Sequence, residues 1–349
     1  MRALNYKILT LVLLLSTNFS FAQDTYNKKF HQRFDVNKES IFDITNKFGN
    51  IRIENTDTDN ITIDAEIVVK TRSQEKADKI MERITITIEK NGNTITALTE
   101  IDDIKTNNAS FEINYTVLMP AYLNINLINK YGHVTINELH GKSKLAVKYG
   151  SLHVNKIMDG NTKPLSSVEL GYCDQSSIKE FNWGTLIIKY SKIEVEKGTA
   201  LVISSKYSQL QLGVLSSVIA EVGYDDYKFG TINNLVMEAK YSNIEINELT
   251  KKMKIDNKYG DIEVSTIPKG FESIEVVSKY ASIELGLAPD ASYQLDASTS
   301  YADIKYPEIQ ISERIKGDFG TQIKGMVGNK TSKATVVVKS EYGDIDLNP

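Results

Sequence analysis

The chain has 349 residues, 41 Lys and Arg against 45 Asp and Glu, a formal charge of -4 and one cysteine, Cys173. A mildly acidic balance without a basic block argues against nucleic acid as the main partner, and a lone cysteine excludes an internal disulfide framework. Length and a hydrophobic content of 41% are ample for a core, in two ordinary domains or one long solenoid.

The first 22 residues read as a secretory signal peptide: Arg2 and Lys7 precede the apolar stretch Ile8 to Leu15, and Ser20-Phe21-Ala22 offers a small-residue cleavage site before Gln23. The stretch is too short for a membrane anchor, and no later segment has the apolar length of a transmembrane helix. No cysteine follows the cleavage site to take a lipid. Cleavage leaves 41 - 2 = 39 basic residues against 45 acidic, a charge of about -6. The expectation is an exported protein, in the periplasm or at the cell surface.

Next comes Phe48, in NKFGNIRI, the first copy of a motif that returns later. Ile61 to Lys70 alternates as a strand. Ser73 to Arg83 reads as a short helix with Ser73 as its cap. Ile84 to Glu89 and Thr94 to Thr99 form a hairpin around Asn91-Gly92, and Phe111 to Leu118 is a strand ahead of Pro120. Residues 23–120 are thus a first coil with a small α+β elaboration, placed to cap an open sheet end.

From residue 121 to 349 the motif dominates: NKYGHVTI, VKYGSLHV, IKYSKIEV, SKYSQLQL, AKYSNIEI, NKYGDIEV and SKYASIEL. Aligned on the aromatic, the copies fall at Tyr131, Tyr149, Tyr172, Tyr190, Tyr207, Tyr224, Tyr241, Tyr259, Tyr280, Tyr301, Phe319 and Tyr342, in steps of 17 to 23 residues. A repeat this short cannot bury its own apolar face, so copies must stack. Apolar residues recur four before the aromatic (Leu127, Leu145, Leu186, Ile203) and three and five after it (Ile193 and Val195, Ile262 and Val264). With Lys, Glu or Thr between them, they have the period of half-buried strands. The aromatic and the next apolar residue are three apart, which demands a turn, and the small residue just after the aromatic permits it.

The fold expected is all-β: a single-stack parallel β-helix, or β-solenoid, of about a dozen coils of 17–23 residues. Like residues in adjacent coils lie roughly 4.8 Å apart. Tyr131, Tyr149, Tyr190, Tyr207, Tyr241, Tyr259, Tyr280, Tyr301 and Tyr342 then form an aromatic ladder. Sharing the parity of the apolar residue four earlier, its rings are expected to be buried; outward rings would instead line a sugar-stacking groove. Asn129 and Asn257 are placed to add a short amide ladder.

The signal peptide, the segment Ile61 to Ile88, and YTVLMPAYLNINLINKYGHVTI, where a strand passes through Pro120 into a glycine-containing coil, give the chain its family likeness. It resembles the bacterial "putative adhesin" β-strand-repeat proteins of unknown function, over nearly all of the mature length. That resemblance implies an exported β-helical envelope protein and brings no catalytic residues.

Lysines precede the aromatics at 130, 148, 189, 206, 240, 258 and 279, on the outer parity. Acids follow by four at Glu194, Glu245, Glu263, Glu284 and Asp346, and offset the stacked charge in part. A basic stripe suits an anionic surface polysaccharide; interleaved charges also simply keep a sheet soluble. Stacked carboxylates such as Glu245 and Glu263 have the separation of a retaining glycosidase pair, but in a repeat that spacing is automatic. Asp261, Asp303, Asp344 and Asp346 lack the glycine-rich context of calcium-binding β-rolls, the four histidines share no column, and no HExxH or CxxC occurs. No metal site, cofactor or catalytic residue is therefore expected. The coil at Tyr172 is the most irregular, with Gly171 in place of Lys, Ile178 delayed, and Phe181 and Trp183 added. The second departure is Gly223-Tyr224-Asp225-Asp226-Tyr227. Tyr172, Phe181, Trp183, Lys189, Lys206, Tyr224 and Tyr227 form the candidate binding patch. The functional expectation is a non-enzymatic adhesin or scaffold binding a surface glycan or an envelope or host protein. The alternatives are a polysaccharide-active β-helix enzyme and a periplasmic accessory of envelope-stress signalling.

Overall fold

The computed structural model describes residues 24–104, 108–308 and 310–347; the segment read above as a signal peptide lies outside them. The described chain is mostly strand, its strands linked into one continuous hydrogen-bonded sheet. Among the described residues no helix is long and apolar enough to cross a membrane.

Parallel pairing in register stacks like on like. Ile193, Leu210, Tyr227, Ile244, Ile262, Ile283 and Ile345 face one another in successive rungs. So do Leu127, Leu145, Val168, Leu186, Ile203, Ala220, Met237, Ile255, Val276 and Val338. Both columns are buried and belong to one solenoid-like core. The driving force is ordinary apolar burial, about 25 cal/mol per Å², but the repeat turns it into uninterrupted stripes.

At the N-terminal end, Asp24–Asp35, Asn60–Thr71 and Ser110–Met119 pair antiparallel. Ile84–Asn91 and Thr94–Ile101 form the hairpin, with Gly92 at φ 59 in its turn. These strands join the stack directly. Ile41–Lys47 lies between Thr94–Ile101 and Asn124–Lys130, and Ile51–Asn55 between Ser110–Met119 and His133–Leu139. The helix Gln74–Met81 starts at Ser73, whose side chain accepts from the Lys76 N–H, and buries Ala77, Ile80 and Met81.

Stacking order departs from chain order at the other end. Thr335–Glu341 lies between Ser273–Lys279 and Tyr293–Ser300, so the last coil in sequence is inserted one rung inward. Gln310–Gly317 and Gly320–Val327 form an antiparallel hairpin on Tyr293–Ser300. Phe319 therefore sits in a hairpin turn rather than in a coil of its own, because the chain there reverses direction instead of winding on.

The delayed Ile178 has a local cause. Gln175, at φ 55, adds one left-handed residue, after which Val154 pairs with Ile178 and parallel register resumes. Asn129 and Asn257 do not form an amide ladder with each other. Asn129 opposes Asn46, and each donates to a backbone carbonyl instead: Asn46 to Ile113 at 2.9 Å and Asn129 to Gly49 at 3.1 Å. Asn257 donates to the Gly260 carbonyl. They are interior turn anchors.

Candidate functional site

The feature that stands out on the surface is the aromatic column, and it faces outward. Phe48 and all eleven tyrosines of the column have φ between 51° and 61°, the left-handed region. A left-handed residue reverses the in-out alternation of the strand. The ring that parity alone would bury swings to solvent, and the next residue points inward instead. Cys173, Ser191, Ser208, Asp225, Ser242 and Ala281 are accordingly buried, while the tyrosines are 42–55% exposed. The expectation of buried rings is thus overturned: the turn demanded by the spacing of three is made by the aromatic residue itself.

Neighbouring rings stack with centroids 4.7–5.0 Å apart, most within about ten degrees of parallel, from Phe48 through Tyr280, then Tyr342 and Tyr301. Phe111 closes the column edge-on against Phe48. At the other end Phe319 tilts onto Tyr301 and remains 66% exposed. A left-handed non-glycine residue costs roughly 1–3 kcal/mol, and an aromatic pair returns about 0.5–1.5 kcal/mol. The column offsets much of the strain of its own corner. Backbone pairing runs through that corner unbroken: the N–H of Tyr131 donates to Lys148, that of Tyr190 to Lys206, and that of Tyr241 to Lys258, at 2.7–3.0 Å.

Two kinds of corner lie beneath the rings. Where glycine follows the aromatic, adjacent backbones nearly touch: a Cβ on Gly132 would lie 1.9 Å from the Gly49 oxygen, and one on Gly150 1.9 Å from the Gly132 oxygen. In the middle of the stack a side chain caps the neighbouring turn instead. The N–H groups of Cys173, Ser191, Ser208 and Asp225 donate to Ser191, Ser208, Asp225 and Ser242 respectively, at 2.7–3.3 Å.

Asp225 is the one carboxylate in this relay. It accepts from the Ser205 hydroxyl at 2.8 Å and the Gly223 N–H at 2.9 Å, and the Tyr227 hydroxyl lies 2.6 Å from Ser205. Burial pushes the Asp225 carboxyl above its usual 3.8, and these hydrogen bonds oppose it only in part. Between the unfolded and folded values the folded chain holds a proton that the unfolded chain has lost. Stability from this group is therefore greatest below the unfolded value and falls as pH rises through the folded one. Asp225→Asn should remove that decline. In urea titrations from about pH 3 to 7, its stability relative to the native chain should rise with pH; a constant difference would refute the assignment.

Lysines flank one side of the column. Lys47, Lys130 and Lys148 stack in adjacent rungs, as do Lys189 with Lys206, and Lys240 and Lys258 with Lys279. Gly171 and Gly223 occupy the rungs between. Lys206 leans into the Gly223 gap, 5.3 Å from the Tyr207 ring centre and 5.9 Å from that of Tyr224. Of the acids four after the aromatics, Glu245 pairs with Lys228 and Asp346 with Lys305, neither of them in the lysine flank. Ion pairs join adjacent coils: Lys148–Glu169, Lys228–Glu245, Lys254–Glu275 and Lys279–Glu341, at 2.7–3.1 Å. Solvent screens exposed pairs of this kind, so they add little to stability. On the other flank runs a groove of about 650 Å³, walled by Tyr172, Tyr190, Tyr207 and Tyr224 and by Lys192 and Asp226.

The expected patch is only partly assembled. Tyr172, Tyr224, Lys189 and Lys206 lie along the column. Phe181 and Tyr227 are core residues, each about 1% exposed or less, and Trp183, beside Ala200, is partly buried. The outward parity of the column carried the first four; the inward parity of Phe181 and Tyr227 took them away. Cys173 is buried with its thiol on the Val147 carbonyl, and burial pushes that thiol up. Asp261 and Asp344 each accept from a backbone N–H of the next coil, at Ser282 and Asp303. Among the described residues no group of three or more His, Cys, Asp or Glu is arranged for a metal ion. Two of the histidines share a set of contacts that their spacing concealed: Ser151 bridges His133 at 2.7 Å and His153 at 3.1 Å, and His153 reaches Ser177 at 2.9 Å. Burial, followed by the nearby His133, holds the His153 imidazole below its ordinary value.

Residues 191–348 match the family model described as Toastrack DUF4097, in agreement with the resemblance carried by the sequence. The chain is also similar to solved structures of a "putative adhesin" from Parabacteroides distasonis (11% identity, 74% of this chain and 97% of that one, TM-score 0.36) and another from Parabacteroides merdae (10%, 74% and 95%, 0.34). A third, from Bacteroides fragilis, shares 14% identity over 91% of this chain and 96% of its own, with a TM-score of 0.20. No curated protein matches the chain.

Proposed function

We propose that this protein, which carries a Toastrack DUF4097 domain, is an exported, non-enzymatic envelope protein: a single rod of about a dozen coils with an α+β cap, acting as an adhesin or scaffold along its long faces. The observation that carries the reading is the outward tyrosine column, flanked by lysines on one side and by a groove on the other. Because each ring covers its neighbours' faces, a partner meets ring edges, hydroxyls and ammonium groups. Stacking of sugar rings on aromatic faces is blocked along the column. The partner chemistry that fits is an elongated, hydroxyl-rich anionic polymer, held by many weak contacts in register with the coils.

Protease shaving of intact cells tests placement. Cleavage while a periplasmic control survives supports surface display, and protection until the envelope is opened overturns adhesion to external partners. Binding is tested with immobilised acidic polysaccharide. Lys240→Glu with Lys258→Glu should weaken retention at least tenfold at low ionic strength, with little effect at high salt, where surface charges are screened. Equal retention of the variant would remove the lysine flank from the interface.

A further inference from the structure

The tyrosine column is also an array of oxidisable phenols held at fixed spacing. We propose that it is a site of one-electron oxidation at which neighbouring rungs couple, forming dityrosine links along the rod. The co-substrate class is hydrogen peroxide, acting through a peroxidase-type one-electron carrier.

Geometry sets these tyrosines apart from the rest. Tyr190, Tyr207, Tyr224 and Tyr241 are 42–49% exposed, so an oxidant reaches their edges. Their ring centres are 4.8–5.0 Å apart, so a radical formed on one ring finds a second phenol held beside it, without a diffusive search. The Tyr207–Tyr224 pair is tilted by 19° and the other two by 11° or less. A tilt brings one pair of ring edges closer, which makes Tyr207–Tyr224 the favoured first link. Tyr115, Tyr227 and Tyr293 are buried, and the single cysteine is buried as well, so neither competes at the surface.

The step balances simply. Two phenols each lose one electron and one proton, and the resulting phenoxyl radicals join through an ortho carbon of each ring. The two ortho hydrogens then move through solvent to the phenolic oxygens. The product has lost two hydrogens per link, and one peroxide becomes two waters. A link between Tyr207 and Tyr224 closes a loop of 17 residues, and closing such loops restricts the unfolded chain. An exported chain without disulfides would thereby gain covalent staples across its coils.

The test is oxidation of the dilute, full-length protein with horseradish peroxidase and hydrogen peroxide, followed by peptide mapping. The expected result is dityrosine fluorescence in the monomer, loss of two hydrogens per link, links confined to adjacent rungs, and a higher urea midpoint. In the double variant Tyr207→Phe, Tyr241→Phe, Tyr224 keeps stacked neighbours but no phenol to couple with. Links through Tyr224 should fall at least tenfold while Tyr172–Tyr190 persists. Links found only between molecules, or centred on the off-column Tyr26, Tyr122 and Tyr306, would overturn the proposal. So would unchanged coupling at Tyr224 in the variant. Should the variant fold poorly, the native map decides alone, since adjacent-rung links are either present or absent.

Discussion

Ile262→Asp should abolish cooperative unfolding of the stack at room temperature, the largest effect expected of any single substitution described. Ile262 is 1% exposed and lies between Ile244 and Ile283 in a continuous column. Its own burial is worth about 1.5–3 kcal/mol, and an unpaired carboxylate there must be neutralised or desolvated at a cost of several more. The sum approaches the whole stability of an ordinary domain, about 5–15 kcal/mol. In a repeat protein the damage spreads through neighbour contacts, so coils from Tyr241 to Tyr280 should lose hydrogen-exchange protection first. Ile219→Asp, in an outward position 57% exposed, is the matched control and should shift the midpoint little. Equal thermal unfolding of the Ile262 variant and the native chain would sink the core-column assignment.

Gly150→Ala should rank second, with a loss of about 3 kcal/mol or more, at the severe end for overpacking. The added carbon would lie 1.9 Å from the Gly132 oxygen, and that atom is backbone. To reach about 3.0 Å the two coils must separate by roughly 1.1 Å (3.0 - 1.9), against the Tyr131 N–H bond to Lys148 at 2.9 Å. The separation also pulls apart the Tyr131 and Tyr149 rings, now 4.9 Å between centres, so near-ultraviolet circular dichroism should change with stability. Ser208→Ala is the contrasting case. It removes the acceptor of the Ser191 N–H and the donor to the Lys206 carbonyl without adding volume, and should cost about 1–3 kcal/mol. If both variants unfolded alike, the distinction between glycine and serine corners would fail.

Much of the site was one inference away in the sequence. The three-residue gap between each aromatic and the next apolar position announced a turn, and placing that turn after the aromatic buried the rings. Placing it on the aromatic exposes them, and nothing in residue type favours that reading, since tyrosine is not a usual left-handed residue. Phe181 and Tyr227, surface candidates because their coils depart from the repeat, occupy its inward columns: Tyr227, three after Tyr224, lies between Leu210 and Ile244, and Phe181 lies beside Ile157. The His133–Ser151–His153 contacts were hidden for a different reason: His133 opposes Ser151 and His153 opposes Ser177 in register, so each histidine stacks on a serine and no column of histidines reveals them.

Sequence periodicity alone determined that the chain is all-β, which residues form its inward stripes, and that the tyrosines stand in one column. These follow from repeat length and the period of two, which are local properties of the chain. Only the tertiary structure decided which way the rings face, because that depends on the sign of one backbone angle set by packing between coils. It also decided the order of the last rungs. Tyr342 stacks between Tyr280 and Tyr301 because strand pairing is a contest among similar edges. The hairpin of Gln310–Gly317 and Gly320–Val327 occupies the outer edge of Tyr293–Ser300, leaving the final strand the inner position.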